Sequence, residues 1–343
     1  MDLALLIFLI FAGWTIALRG LAERVTSHPA LSLLIYLALF GLIFEGAGLP
    51  LGYLKGYWLE HRYGLSNLTF GAWVKDQLKG LAVGGGLAVL GVEFIYWTMR
   101  RWGADWWIIS ATAFVAFFIL LANLAPVLLF PIFFKFKPIE DSTLTERLLE
   151  LSRRAGTRVR GVFEWKLSEK TKKANAALVG LGNTRRIILS DTLLEKFEVD
   201  EVEAVLAHEL GHHVHHHVFR GIVVQTVTTF LGFYLANLCL VRWGPALGFR
   251  GVADFANLPL LILVGTGLSV VLLPGVNGHS RWLERQADAY AIAAIPDRSA
   301  FITSMEKLAE INLSERKPPA WIEFIFHSHP SIEKRIAHAQ RGA

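Results

Sequence analysis

A single cysteine in 343 residues, Cys239, leaves no partner for an intramolecular disulfide and rules out a multi-cysteine zinc or iron–sulfur site. Any bound metal must be held by histidine and carboxylate. Charge is scarce as well: Asp, Glu, Lys and Arg make up 18% of the chain, 53% is hydrophobic and mean hydropathy is +0.43, a composition that argues against an ordinary soluble protein. Long basic tracts and aromatic–basic interleaving on polar segments are missing, so nucleic acid is not expected as a partner. The net charge of +5 is accounted for by basic residues near the ends of apolar runs.

What the chain has instead is uncharged sequence long enough to cross a bilayer, at about 20 residues per span. Six such runs lie near 2–18, 29–48, 80–98, 106–134, 221–241 and 255–276, and the last but one holds Cys239. The expected division is an amino-terminal transmembrane region, 1–135, with about four spans, then a polar block, 136–220. Two further spans over 221–276 follow, and a second polar block, 277–343, closes the chain. The first run begins at Met1 without a basic leader and is read as a span rather than a signal peptide. Two spans are an even number, so both polar blocks fall on one side of the membrane and can share one site. Short-loop charge points weakly: Lys55, Arg62, Lys75 and Lys79 lie on that side, and Arg19, Arg24, Arg100, Arg101, Arg242 and Arg250 lie opposite.

In the first polar block, Leu144 to Ala155 has helical periodicity and Arg158 to Trp165 is rich in β-formers. Asn175 to Val179 and Arg186 to Leu189 flank a Gly182-Asn183 turn and read as a hairpin. Asp200, with Glu203 three residues on, predicts a helix start by a capping box. That helix carries His208-Glu209-Leu210-Gly211-His212. At 3.6 residues per turn the two histidines sit about 40° apart on one face, where both imidazoles can meet one Zn²⁺. Glu209 lies beside them, placed to take a proton from metal-activated water as general base. The competing reading is a solvated His-rich face. That reading is expected for His213, His215, His216 and His217, although His215 falls back on the ligand side.

In the second polar block, Ser280 to Asp288 puts Glu284 and Asp288 one helical turn apart. Glu284 can complete a His₂Glu site, with Asp288 hydrogen-bonding a ligand imidazole. Pairing of either acid with Arg281 or Arg285 on an exposed helix is the alternative.

Taken together these residues resemble the integral-membrane zinc endopeptidases of the CAAX prenyl protease type, with the smaller HtpX-type membrane proteases as relatives. Asn175-Ala176, Arg186 to Leu194, His208 to His212, Ser280 to Asp288 and His329-Pro330 to Arg335 occur in that family's order. Leu49-Pro50 through Ser66 looks like a loop of the CAAX amino-terminal half that the HtpX type lacks, so the likeness spans about residues 30–338. It implies that His329 donates to the oxyanion, that Arg335 orients the site or peptide, and that an edge strand at Asn175, Ala176 and Ala177 pairs with substrate backbone. A His-Pro turn for His329 and a surface ion pair for Arg335 are the bland alternatives. The chain departs from the family in starting within an apolar run, where one leading span is expected to be missing, and in its Lys170 to Ala174 stretch and Ala177.

The expectation is therefore a polytopic α-helical membrane protein with a small α+β zinc metalloprotease domain of gluzincin type. It would hold one Zn²⁺ per chain and hydrolyse peptide or protein substrates, membrane-bound or prenylated, near their carboxy termini, from the cytoplasmic side. An HtpX-like quality-control protease is the second reading. A divalent-metal transporter is third, since its spans would need polar ligands and these runs offer almost none.

Overall fold

The computed structural model describes residues 2–180 and 184–341 and divides the chain into two compact units. The first comprises Met1–Leu59, Thr69–Phe118 and Val223–Val271. Its helices carry Leu, Ile, Phe and Val on most faces, and many of these side chains remain exposed, as suits hydrocarbon surroundings. Among the described residues, four stretches are long and apolar enough to cross a membrane: Pro29–Arg62, Phe70–Leu128, His217–Trp243 and Phe255–Ala294. The second of these cannot be one straight rod. Thr98 Oγ1 and Ser110 Oγ lie 2.7 Å apart, whereas twelve residues of helix would separate them by about 18 Å. The chain reverses at Gly103, whose φ of +49° suits glycine, so the stretch has two arms. The run expected at 2–18 is broken at Gly13, and Leu3–Phe11 and Trp14–Val25 meet at a bend of 68°.

Polar side chains tie these apolar helices together. Arg19 and Asp254 form a buried ion pair, Trp106 Nε1 donates to Asn237 Oδ1 at 2.7 Å, and Tyr96 donates its hydroxyl to Asn257. In surroundings without water such groups stay folded only if each finds a partner.

The second unit comprises Glu60–Leu68, Ile119–Ile222 and Leu272–Ala343. Its sheet holds β1 (Phe136–Pro138), β2 (Val162–Trp165), β3 (Ala176–Val179) and β4 (Arg186–Ser190) in the spatial order β1-β2-β4-β3. β2 and β4 are parallel and the outer pairings antiparallel, so β3 is an edge. The Gly182-Asn183 turn lies outside the described residues. Leu148 and Leu151 of helix Ser142–Arg154, Ile187 and Leu189 of β4, and Phe301 and Met305 of helix Arg298–Ile311 form one core with the buried face of helix Val199–Val214. Residues 65–67 are stitched to the approach to β3: Thr171 Oγ1 donates to Leu65 O at 2.8 Å and Asn67 Nδ2 to Ser168 O at 2.8 Å.

Helix Val199–Val214 begins two residues before the expected start. Its N-cap is Glu198, whose N–H is taken by Glu201 at 2.8 Å, while Asp200 and Glu203 are drawn off by Arg147 at 2.6 and 2.5 Å. Arg147 is distant in sequence, which is why the local capping pattern misleads. Near its far end Gly211 faces Ala287 of helix Leu258–Ala294, and a Cβ there would lie 2.9 Å from Ala287 Cα and 3.0 Å from Ala287 O. The two helices can cross this closely only without that methyl group.

Gly211→Ala must therefore push the helices apart at their crossing. The expected cost is roughly 1–3 kcal/mol of stability, with weakened metal retention, as measured by thermal unfolding and metal content of the purified protein. Unchanged values for both would mean that the crossing tolerates the methyl group.

Candidate active site

The crossing brings side chains from distant sequence onto one point. Successive turns of helix Val199–Val214 present His208 and His212, and helix Leu258–Ala294 presents Glu284. His208 Nε2 is 3.1 Å from His212 Nε2 and 3.2 Å from Glu284 Oε2, and His212 Nε2 is 3.3 Å from Glu284 Oε1. Ligand atoms around a tetrahedral zinc with bonds of about 2.0–2.1 Å stand about 3.3 Å apart, and the two imidazole nitrogens and the Glu284 carboxylate lie at that spacing, each nitrogen beside a different carboxylate oxygen. Glu284 Oε2 is buried and has no hydrogen-bond partner, a costly arrangement for a carboxylate unless a cation sits against it. The donor set thus fits a metal ion.

Behind the triangle, Asp288 accepts from His208 Nδ1 at 2.9 Å, so the proton that a metal ion displaces from this ring is the one on Nε2, the atom facing the triangle. Arg335 grips Asp288 with two hydrogen bonds, Nε at 2.9 Å and Nη2 at 2.6 Å. Arg335 is 8% exposed and is no surface ion pair. Burial works against its charge, but Asp288 more than compensates and raises its pKa. Burial pulls the His208 imidazole down, while the hydrogen bond to Asp288 and the facing Glu284 carboxylate lift it to about 9.

A cavity of about 550 Å³ opens in front of the triangle. His208 and Glu209 line it together with Asn175 and Ala176 and the loop that carries His329. Glu209 makes no hydrogen bond or ion pair among the described residues, and burial raises its carboxyl above the ordinary range against the pull of His208 and His212. His329 projects into the opening with its Nε2 3.3 Å from Glu284 Oε1 and its Nδ1 2.9 Å from Ser328 Oγ. When the Ser328 hydroxyl donates to Nδ1, Nε2–H is left to donate into the cavity.

The edge strand is more selective than its sequence suggests. Ser190 N donates to Asn175 O at 2.9 Å, so by antiparallel alternation Asn175, Ala177 and Val179 turn their backbone groups toward β4. Ala177, expected among the substrate-binding residues, is therefore directed inward, and the outward groups belong to Ala174, Ala176 and Leu178. Ala174 is already occupied: its N–H donates to Asn312 Oδ1 at 3.0 Å and its carbonyl accepts from Asn312 Nδ2 at 3.2 Å. Asn312 ends the usable edge, and it lies 138 residues from Ala174 in sequence.

The trailing histidines separate as well. His215 lies outside the triangle and stacks at 5.6 Å on His217. His217, expected to be solvated, is 4% exposed and contacts His212. The periodicity of a solvated face gave no sign of this.

The sequence profile of peptidase family M48 matches residues 138–343, and a profile described as CAAX prenyl protease N-terminal, five membrane helices, matches residues 1–135. A Bacillus subtilis protein known as uncharacterized metalloprotease YhfN is 31% identical over 345 residues, covering 99% of this chain and 81% of its own. CAAX prenyl protease 1 of Saccharomyces cerevisiae is 29% identical over 327 residues, covering 88% and 71%. Among solved structures, the crystal structure of S. mikatae Ste24p superposes with a TM-score of 0.86 at 25% identity, over 96% of this chain and 82% of that one.

With its pKa raised to about 9, His208 holds a proton in the metal-free protein that a metal ion at Nε2 must displace. Apparent metal affinity should therefore climb by about tenfold per pH unit below that value and level off above it. Calorimetric titration in buffers of different ionisation heat should register about one proton released per metal at pH 7. An affinity flat between neutral and alkaline pH would contradict the protonated state.

Proposed function

The chain belongs to peptidase family M48 and is an integral membrane metallopeptidase related to the CAAX prenyl proteases, and on that premise we propose how its residues divide the work. His208, His212 and Glu284 hold one Zn²⁺, with Asp288 orienting His208. When bound, the ion supplies Lewis acidity toward a carbonyl oxygen and toward water. Glu209 accepts the proton of the attacking water on its carboxylate and returns it to the amine nitrogen as the peptide C–N bond breaks. His329 offers its Nε2–H to the oxyanion, and Arg335 keeps Asp288 ionised and aimed. The substrate lies extended along β3, pairing with the outward backbone groups of Ala176 and Leu178.

What supports this reading is one juxtaposition: a metal-sized triangle of two imidazole nitrogens and a carboxylate oxygen, an unpaired carboxylate and an open strand edge around a single cavity. Backbone pairing makes few side-chain demands, so selection falls to whatever else ties the substrate to the membrane. We place membrane-associated proteins, with prenylated carboxy termini as the leading class, in that role, because several relatives are named as CAAX prenyl proteases. The peptidase region then faces the cytoplasm, from which lipidated termini reach the bilayer. An HtpX-type quality-control role gains no separate support, as the CAAX amino-terminal profile matches all of 1–135.

Glu209→Gln should abolish hydrolysis of a prenylated peptide yet keep one zinc, whereas Glu284→Ala should lose both, read by elemental analysis beside turnover. Metal loss in Glu209→Gln would make that residue a ligand instead of a base. For the strand, Leu178→Pro removes an outward N–H and should raise KM with zinc retained, while Ala177→Pro breaks the β4 ladder and should lower stability. The reverse pattern would mean that the peptide docks elsewhere.

A further inference from the structure

His217 is the buried histidine for which catalysis as described above has no use. Its Nδ1 lies 3.0 Å from Nδ1 of His212, and its Nε2 lies 3.0 Å from Gln286 Oε1. Arg220 Nη1 reaches the same Gln286 atom at 3.0 Å, and its guanidinium rests over the Trp282 ring at 5.0 Å. Protonation states follow from these contacts by elimination. A guanidinium has donors only, so the Gln286 atom facing it must be the amide oxygen, an acceptor. His217 Nε2 must then carry a hydrogen and donate to it, and with the ring neutral Nδ1 is left with a lone pair. That lone pair accepts Nδ1–H from His212. His212 thereby keeps its own lone pair on Nε2, the atom 3.3 Å from Glu284 Oε1.

We propose that His217 is a positioning residue for His212, a neutral imidazole that fixes the tautomer and ring plane of a metal ligand and is itself fixed by Gln286 and Arg220. This rests on His212 being a ligand, as proposed above. Helix Leu258–Ala294 then aims both ligand imidazoles: Asp288 acts on His208 directly, and Gln286 acts on His212 through His217. The two arms differ in charge. A carboxylate behind a ligand imidazole makes it a stronger donor, and a neutral relay does so less, which spares the Lewis acidity of the bound ion. The ring of His215, stacked on His217 at 5.6 Å with planes 19° apart, holds the relay from its outer face.

The test uses the full chain in detergent, titrated with Zn²⁺ against a fluorescent chelator. His217→Phe keeps a ring of similar size but removes the acceptor and should weaken zinc binding about 10- to 100-fold. His217→Gln offers an oxygen to His212 and an N–H to Gln286 and should recover most of that loss. Gln286→Leu leaves His217 in place, so it reports on the relay even if His217→Phe fails to fold; it should weaken binding several-fold, and wild-type affinity in this variant would remove Gln286 from the relay and overturn the proposal. Thermal unfolding of the metal-free variants should stay close to wild type. Wild-type zinc affinity in His217→Phe would overturn the proposal. Equal weakening in His217→Phe and His217→Gln would also overturn it, since packing and not hydrogen bonding would then be at work. His212→Ala separates the two levels: if that variant retains zinc, the ligand assignment fails independently of the relay.

Discussion

The close crossing of helices Val199–Val214 and Leu258–Ala294 at Gly211 and Ala287 is the constraint on which the site depends. Two helices normally stand 8–10 Å apart, a distance set by the side chains between them. Here one contact residue has no side chain and the other only a methyl group. The gain is that Glu284, Gln286 and Asp288, spaced two residues apart on one helix, all reach imidazoles or their partners on the facing chain. A helix farther away would leave a buried carboxylate stranded, which costs several kcal/mol.

Charge at the site is divided between a paired set of buried ions and one carboxylate kept free of structural partners. Asp288 and Arg335, both almost wholly shielded, neutralise one another through two hydrogen bonds whose geometry suits guanidinium and carboxylate. Glu284 is left to face the imidazoles, with one oxygen unmatched by any hydrogen bond. Glu209, one residue from a ligand, lines the cavity instead and has no hydrogen-bond or ion-pair partner among the described residues. A carboxylate spared from structural duty and lifted in basicity by burial is what proton transfer near neutral pH requires.

The sheet contributes in a different way. Because β3 is outermost, its outward amides and carbonyls are not consumed by the fold, and the side chain of Asn312 closes the row at Ala174. An unpaired strand edge is normally a hazard for aggregation. Here it is short and borders the cavity that holds Glu209 and His329.

Much of this was legible from residue order, because the signals involved are local. Apolar runs report burial in lipid one helix at a time, and the spacing of His208 and His212 follows from the helical repeat alone. Glu284 could be proposed as a third ligand because the His208 to His212 run upstream calls for one and Asp288 follows Glu284 by one turn. The tertiary structure decided the rest. It showed that Arg147 draws off Asp200 and Glu203 and shifts the cap to Glu198, that alternation against β4 turns Ala177 inward, and that Asn312 closes the strand edge. It also showed that His217 turns from an expected solvated face onto His212 and Gln286. Each of these pairs residues far apart in the chain or depends on which way a strand faces. Periodicity places residues along one element; only packing between elements determines which partner takes each hydrogen bond.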